Sequence, residues 1–267
     1  MDFLETIIQK KVKEVAAMPQ ETEKVVAKRP SFYQQVKERP QKMHLIAEIK
    51  RASPSKGDIN QAIDPVTQAQ AYEAAGVSGI SVLTDQQFFK GSLADLEAVS
   101  KAVSVPILCK DFIIDKKQLI RAKNAGASIV LLIVAALEPD RFVALYQEAE
   151  ALGLEVLVET HNAAEFQQAQ ALGAKIIGVN NRDLKTFDVS LDVSVALAPQ
   201  PSEAVYISES GIRTAADVLQ LAPFYHGVLV GETKTPTFPT FWGTFSVILR
   251  TCVGSILRRL SAKTKPR

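Results

Sequence analysis

The residues best suited to chemistry in this 267-residue chain are charged or amide side chains that close otherwise apolar runs. LIAEIK at 45 ends with Glu48 and Lys50, PILCKD at 106 contains Lys110, EVLVET at 155 contains Glu159, and KIIGVN at 175 ends with Asn180. In a strand, side chains two apart share one face, so Glu48 and Lys50 point the same way. Any one of these groups alone reads equally well as a solvated strand end or a structural ion pair. Together they read as a site, because charges within apolar strands are costly unless paired, and opposite charges gathered in one pocket tune each other's protonation. Burial or a neighbouring cation is expected to make a lysine more acidic, and an apolar site makes a carboxylate a better proton carrier. Acid and base are therefore expected to be Lys and Glu. The histidines are His44, His161 and His226. His44 and His226 precede apolar runs, at the wrong end for such a site, and His161 is expected to be a bystander just beyond Glu159.

A second chemistry comes from small residues after two late runs, SESGI at 208–212 and LVGE at 229–232. Backbone amides exposed by such turns can approach an anion closely, as a phosphate requires. Ser53 to Gly57, within RASPSKG, could add hydroxyl and lysine donors. One glycine turn is more often a structural cap, whereas two in adjacent positions point to a ligand. Neither GxGxxG nor GxxxxGK[ST] occurs, so no nucleotide fingerprint competes.

These residues need a scaffold that brings strand ends together. Eight apolar runs qualify: LIAEIK, GISVLT at 79, PILCKD, SIVLLIV at 128, EVLVET, KIIGVN, AVYISES at 204 and GVLVG at 227. Helical patterns separate them, and AAGVSG, NAGAS, ALGLE and ALGAK put glycine where a helix end needs a left-handed residue. Apolar strands alternating with helices imply a parallel sheet, and eight such units close a (β/α)8 TIM barrel, whose functional face is the C-terminal end of its strands. An open doubly wound sheet is the competing architecture. Leu4, Ile7, Ile8, Val12 and Val15 recur at helical spacing over residues 3–17, and a short helix around Phe32 to Glu38 lies between Pro30 and Pro40. The expected organisation is one domain: an N-terminal helical extension over 1–44, barrel strands and helices over 45–232, and an atypical basic segment over 233–267. Apolar residues from Phe245 to Leu260 predict a helix over about 244–260, against a disordered tail, a membrane-surface helix or a shifted reading frame.

The formal net charge of +2 gives no reason to expect a nucleic-acid or membrane partner. Cys109 and Cys252 are the only cysteines, without metal or redox spacing, and no apolar run reaches membrane-spanning length. A soluble cytoplasmic protein is expected.

IAEIKRASPSKG, FFKGS, LCKDFIID, VLVET, IGVNNRDL, ISESGI and LVGE, in this order from about residue 30 to 232, resemble indole-3-glycerol-phosphate synthase. The resemblance implies ring closure of 1-(2-carboxyphenylamino)-1-deoxyribulose 5-phosphate to indole-3-glycerol phosphate, releasing carbon dioxide and water in tryptophan biosynthesis, with no metal or organic cofactor. It implies a phosphorylated small-molecule substrate and leaves association with other enzymes of that pathway open. By resemblance, Lys110 is the general acid, Glu159 serves the proton transfers of dehydration, Lys50 engages the substrate carboxylate, Glu48 orients the lysines, and Asn180 positions a reacting group. Arg182 and Glu209 support the substrate. Ser53, Ser210, Gly211, Gly231 and Glu232 match the phosphate set, Glu232 through its amide, and Phe89, Phe112, Leu131 and Leu184 would line the ring pocket. After Glu232, TKTPTFPTFWG departs from the family pattern at the eighth helix. The nearest rivals are phosphoribosylanthranilate isomerase, whose acid and base are cysteine and aspartate, and a binding barrel without turnover. Cys109 alternates away from the interior beside Lys110, against the isomerase.

Overall fold

The computed structural model describes residues 3–53, 57–58 and 63–231. Eight parallel strands close on themselves: β1 His44–Ile49, β2 Gly79–Leu83, β3 Ile107–Lys110, β4 Ile129–Ile133, β5 Glu155–Thr160, β6 Ile176–Asn180, β7 Val205–Glu209 and β8 Gly227–Val230, with β8 paired to β1. The first begins one residue earlier than the 45 expected. Neither Glu232 nor the segment 233–267, with its expected helix over 244–260, lies within the described residues.

Period-two alternation sorts each strand into two faces. Ile46, Leu108, Leu131, Leu157, Ile176, Ile207 and Leu229 pack together in the barrel interior. Leu45, Ala47, Ile80, Cys109, Val130, Val156, Ile177 and Val228 pack outward under the helices. Because Glu48, Lys110, Glu159 and Glu209 each lie two residues beyond an interior residue, they form the interior's uppermost layer. The register sets their neighbours: Ile133 pairs with Glu159, Glu159 with Gly178, and Asn180 with Glu209.

Ten α-helices are described: α1 Phe3–Ala17, α2 Phe32–Glu38, α3 Pro65–Ala74, α4 Gln86–Phe89, α5 Leu93–Ala102, α6 Lys116–Asn124, α7 Pro139–Ala151, α8 Ala163–Ala171, α9 Asp192–Ala196 and α10 Ala215–Leu221. Their starts are capped as their sequences dictate, with Asp64, Ser92, Asp115, Asn162 and Thr214 each accepting a first-turn amide. Gly76, Gly126, Gly153 and Gly173 all have positive φ behind helix ends. None of the helices among the described residues is long and apolar enough to cross a membrane.

The extension holds both ends of the barrel. Phe32 and Val36 of α2 are fully buried against the interior cluster, closing its floor. Glu155 at the start of β5 caps that helix, accepting from the amides of Phe32 at 2.9 Å and Tyr33 at 3.1 Å and from the Ser31 hydroxyl. The chain between α1 and α2 runs down the outer wall, where Arg29 donates to the carbonyls of Val103 at 2.8 Å, Val105 at 2.9 Å and Gly126 at 3.1 Å. At the top, α1 buries Leu4, Ile7, Lys11 and Val15, while Val12 is 54% exposed. The buried stripe therefore takes in a lysine and leaves out one of the valines that define the sequence pattern.

Candidate active site

The mouth of the barrel holds two contiguous hollows. One is apolar, lined by Phe89, Phe112, Leu131, Leu184, Ile133 and Phe187, with Phe3, Leu4 and Ile7 of α1 as its outer wall. The other is polar, lined by Ser210, Gly211, Arg213, Val230 and Gly231. Glu48, Lys50, Lys110, Arg182 and Ser210 border both. Every site residue proposed from the sequence and described here thus lies at this one opening, except that Glu209 sits just beneath it, fully buried.

Lys110 is the hub. Its Nζ lies 3.0 Å from Glu209 Oε2 and 3.3 Å from Glu48 Oε2, and Lys50 Nζ is 3.0 Å from Glu48 Oε1. Burial would raise the Glu48 carboxyl, but Lys110 and then Lys50 outweigh it and hold it down at about 2. Burial likewise pulls the Lys110 ammonium down, yet Glu48, Glu209 and Glu159 together hold it above its ordinary value. The expectation of a lysine made acidic by its surroundings is therefore corrected: three carboxylates surround it. The group shifted toward neutrality is Glu209, whose carboxyl burial pushes up to about 7 despite Lys110, with Glu159 and Glu48 adding to the push.

Glu159 is held differently. Asn180 donates from Nδ2 to Glu159 Oε1 at 3.0 Å, and the Asn180 Oδ1 accepts from the Arg182 amide at 3.0 Å. His161, a bystander by sequence, stands with Nε2 3.2 Å from the same Oε1. Its approach falls outside hydrogen-bond angles, so the contact acts as an ion pair. Burial raises the Glu159 carboxyl, but His161 first, then Lys110 and Asn180, bring it down to about 2.

The polar hollow owes its shape to backbone. Ser210 and Gly211 both have positive φ, 64° and 82°. Asn181 fixes this turn, its Nδ2 donating to the Ser210 carbonyl at 3.0 Å and the Glu209 carbonyl at 2.9 Å. At Gly231 a β-carbon would stand 2.5 Å from Glu48 Oε1, so glycine lets the strand end pass the carboxylate. Ser53, in the two-stranded ribbon of Ala52–Ser53 with Gly57–Asp58, has a buried hydroxyl with no partner among the described residues.

Sequence reasoning did not single out the α1 wall or its anchor. Lys11 Nζ is 2.8 Å from Asp85 Oδ2, 2.9 Å from Asp111 Oδ1 and 2.9 Å from Glu14 Oε2, and Asp111 directly follows Lys110. Phe3 meets Phe88 and Phe187 edge-on, with ring centres 5.5 and 5.0 Å apart. The signal was a lysine at a core position of the α1 periodicity. Asn181, Phe187 and His161 carried none beyond their place after a strand. Cys109 is buried in the helix layer 3.5 Å from Thr84 Oγ1, and burial pushes its thiol up to about 12, which makes it unsuited to proton transfer in the interior.

The chain is similar to one family of known proteins over most of its length. A family model described as indole-3-glycerol phosphate synthase matches residues 4–235. Among curated relatives, the indole-3-glycerol phosphate synthase of Listeria welshimeri is 57% identical over 233 residues, covering 87% of this chain and 92% of its own. That of Listeria monocytogenes is 57% identical over 235 residues, covering 87% and 92%. The Streptococcus gordonii protein of the same name is 52% identical over 231 residues, covering 86% and 91%.

Proposed function

Because the chain belongs to the indole-3-glycerol phosphate synthase family, we propose that the residues at its barrel mouth carry out that family's decarboxylative ring closure as a positioned acid and base acting on an anchored phosphate ester. The observation that carries this reading is the placement of Lys110 between Glu48 and Glu209, at the junction of an apolar hollow and a glycine-lined polar one. An aromatic amine joined to a sugar phosphate has that same division.

The positive-φ turn at Ser210 and Gly211, with Gly231 and Ser53, takes the phosphate. Anchoring one end converts a flexible substrate into a positioned one. The anthranilate ring enters among Phe89, Phe112, Leu131 and Leu184, with its carboxylate toward Lys50. Glu48 fixes both lysines. Ring closure places negative charge on the ribulose carbonyl oxygen, and Lys110 donates a proton to it. The surrounding carboxylates ensure that the ammonium is loaded at neutral pH. Glu209 holds the Lys110 ammonium from beneath. Loss of carbon dioxide restores aromaticity; in the dehydration the hydroxyl takes a proton from a lysine ammonium of the cavity and departs as water, while Glu159, steadied by Asn180, accepts the proton lost from the neighbouring ring carbon. Arg182 and Glu232 belong to the same assignment, as substrate support and amide donor.

The test is direct. Purified protein given 1-(2-carboxyphenylamino)-1-deoxyribulose 5-phosphate should develop indole fluorescence and release carbon dioxide in equal amounts. Binding of the substrate without either product would leave a binding barrel. Association with other enzymes of tryptophan biosynthesis, and a cytoplasmic location, belong to the same proposal and are checked by co-purification and cell fractionation.

A further inference from the structure

His161 follows the last residue of β5 and reaches back over the strand end. Its two ring nitrogens meet two carboxylates: Nε2 lies 3.2 Å from Glu159 Oε1 and Nδ1 lies 3.1 Å from Glu165 Oε2. The backbone amide of His161 donates to that same Glu165 oxygen at 2.8 Å, so ring and main chain are fixed by one group. Glu165 is itself fixed, since it lies in the first turn of α8, takes a hydrogen bond from Asn162 Nδ2, and gives its amide to Asn162 Oδ1 at 3.0 Å. The His161 side chain is 10% exposed. A ring with a carboxylate at each end is favoured in the form in which both nitrogens carry protons and the ring is a cation.

We propose that His161 is a positioning residue for the reaction: as an imidazolium braced by Glu165, it supplies the counter-charge that keeps Glu159 ionised and aimed into the cavity. This rests on the assignment of Glu159 as the proton acceptor in dehydration.

Lys110 cannot do this alone. It faces Glu159 from β3, but at closer range it is committed to Glu48 and Glu209. From β6, Asn180 offers a hydrogen bond without charge, and from β7, Glu209 opposes ionisation of Glu159. On β4 the register partner is apolar Ile133. The imidazolium is thus the nearest cation to a buried carboxylate that has an anion behind it. Burial works against its charge, but Glu159 and Glu165 outweigh burial and raise the imidazole to about 10, well above the pH of any assay near neutrality.

The consequence is a rate profile flat toward acid. With the cation present, Glu159 stays ionised well below pH 5; without it, burial and Glu209 take over and the carboxyl rises, as buried carboxyls do by up to several units. His161→Gln, which keeps a donor for Glu159 but no charge, should develop an acid limb in kcat near pH 6. Its kcat at pH 5.0 should fall about tenfold below its value at pH 8, with KM for the substrate changed less than about threefold. His161→Lys should largely restore the flat profile. Glu165→Gln weakens the brace from the far side and should shift the limb in the same direction, so the question stays answerable even if the His161 variants fold poorly. A purely structural histidine would alter stability and leave the profile where it was. An unshifted acid limb in folded His161→Gln and in Glu165→Gln overturns the proposal. The underlying assignment is tested separately: if Glu159→Gln keeps normal kcat, it is the role of Glu159 that is wrong, whereas slow Glu159→Gln beside an unshifted His161→Gln removes the clamp alone.

Discussion

Gly178 makes room for Glu209: a β-carbon built on Gly178 would stand 2.1 Å from Glu209 Oε1 and 3.2 Å from Leu157 Cδ1. The two lie on adjacent strands, and the carboxylate of one fills the volume that the missing side chain of the other leaves. Oε1 of Glu209 is buried and has no hydrogen-bond partner among the described residues, so it is held by shape. Gly178→Ala should therefore push Glu209 away from Lys110. Overpacking of this kind costs about 1–3 kcal/mol. The melting temperature should fall by several degrees, and kcat should fall about tenfold. An alanine variant with unaltered melting and turnover would mean that Glu209 has space to move.

Replacing Lys110 tests the hub. Lys110→Met should lose about 100-fold to 10,000-fold in kcat while keeping its circular dichroism spectrum. Its stability should also depend more steeply on pH. Glu209 already has a folded value near 7 against an ordinary 4.5, so its protonated form stabilises the fold below about 4.5 and that contribution is lost as pH rises through 7. Without Lys110 the folded value climbs further, and the loss extends to higher pH. Melting curves of the variant at pH 6 and pH 8 should differ more than those of the unmodified protein, with pH 6 the more stable. A variant equally stable at both would argue that Glu209 is not coupled to Lys110.

The polar hollow is tested at Gly211. Its φ of 82° already excludes most side chains, and a β-carbon would lie 2.7 Å from Val189 Cγ1. Gly211→Val should raise KM about tenfold or more and weaken competition by inorganic phosphate in parallel, with a smaller change in kcat. If both constants stay normal, the phosphate sits elsewhere.

Lys11 is tested by Lys11→Met, which leaves Asp85 and Asp111 without their cation. Removing one partner of a buried pair costs about 3–5 kcal/mol. The melting temperature should drop, and KM should rise several-fold as Phe3, Leu4 and Ile7 leave the ring pocket. Normal KM with lowered melting would confine α1 to a structural role.

The eight strands were legible because each is apolar for its whole length, and the reactive residues were legible because they break that pattern at its end. Lys110 and Glu159 could be found from their own strands. What could not be read is how they shift one another. A charge at a strand end looks the same whether its cross-barrel neighbours are cations or carboxylates, so the sequence suggested an acidic lysine where the fold gives an ammonium raised by Glu48, Glu209 and Glu159. His161 escaped for a related reason: its partners Glu159 and Glu165 lie two and four residues away, and only the turn into α8 folds all three together. Lys11 stands at a core position of the α1 spacing, between Ile7 and Val15, but an apolar reading that completes the stripe with Val12 points past it.

The strap formed by α1, the wall segment and α2 also says something about how the chain is made. It leaves the ribosome ahead of the groups that hold it: Asp85, Asp111, the carbonyls of Val103, Val105 and Gly126, then Glu155, and later still Phe187 and Glu203. The nascent extension must therefore wait, with its apolar stripe unplaced, until most of the barrel has been synthesised. Its docking should follow strand closure, which makes it a late event in biogenesis although it precedes the barrel in translation.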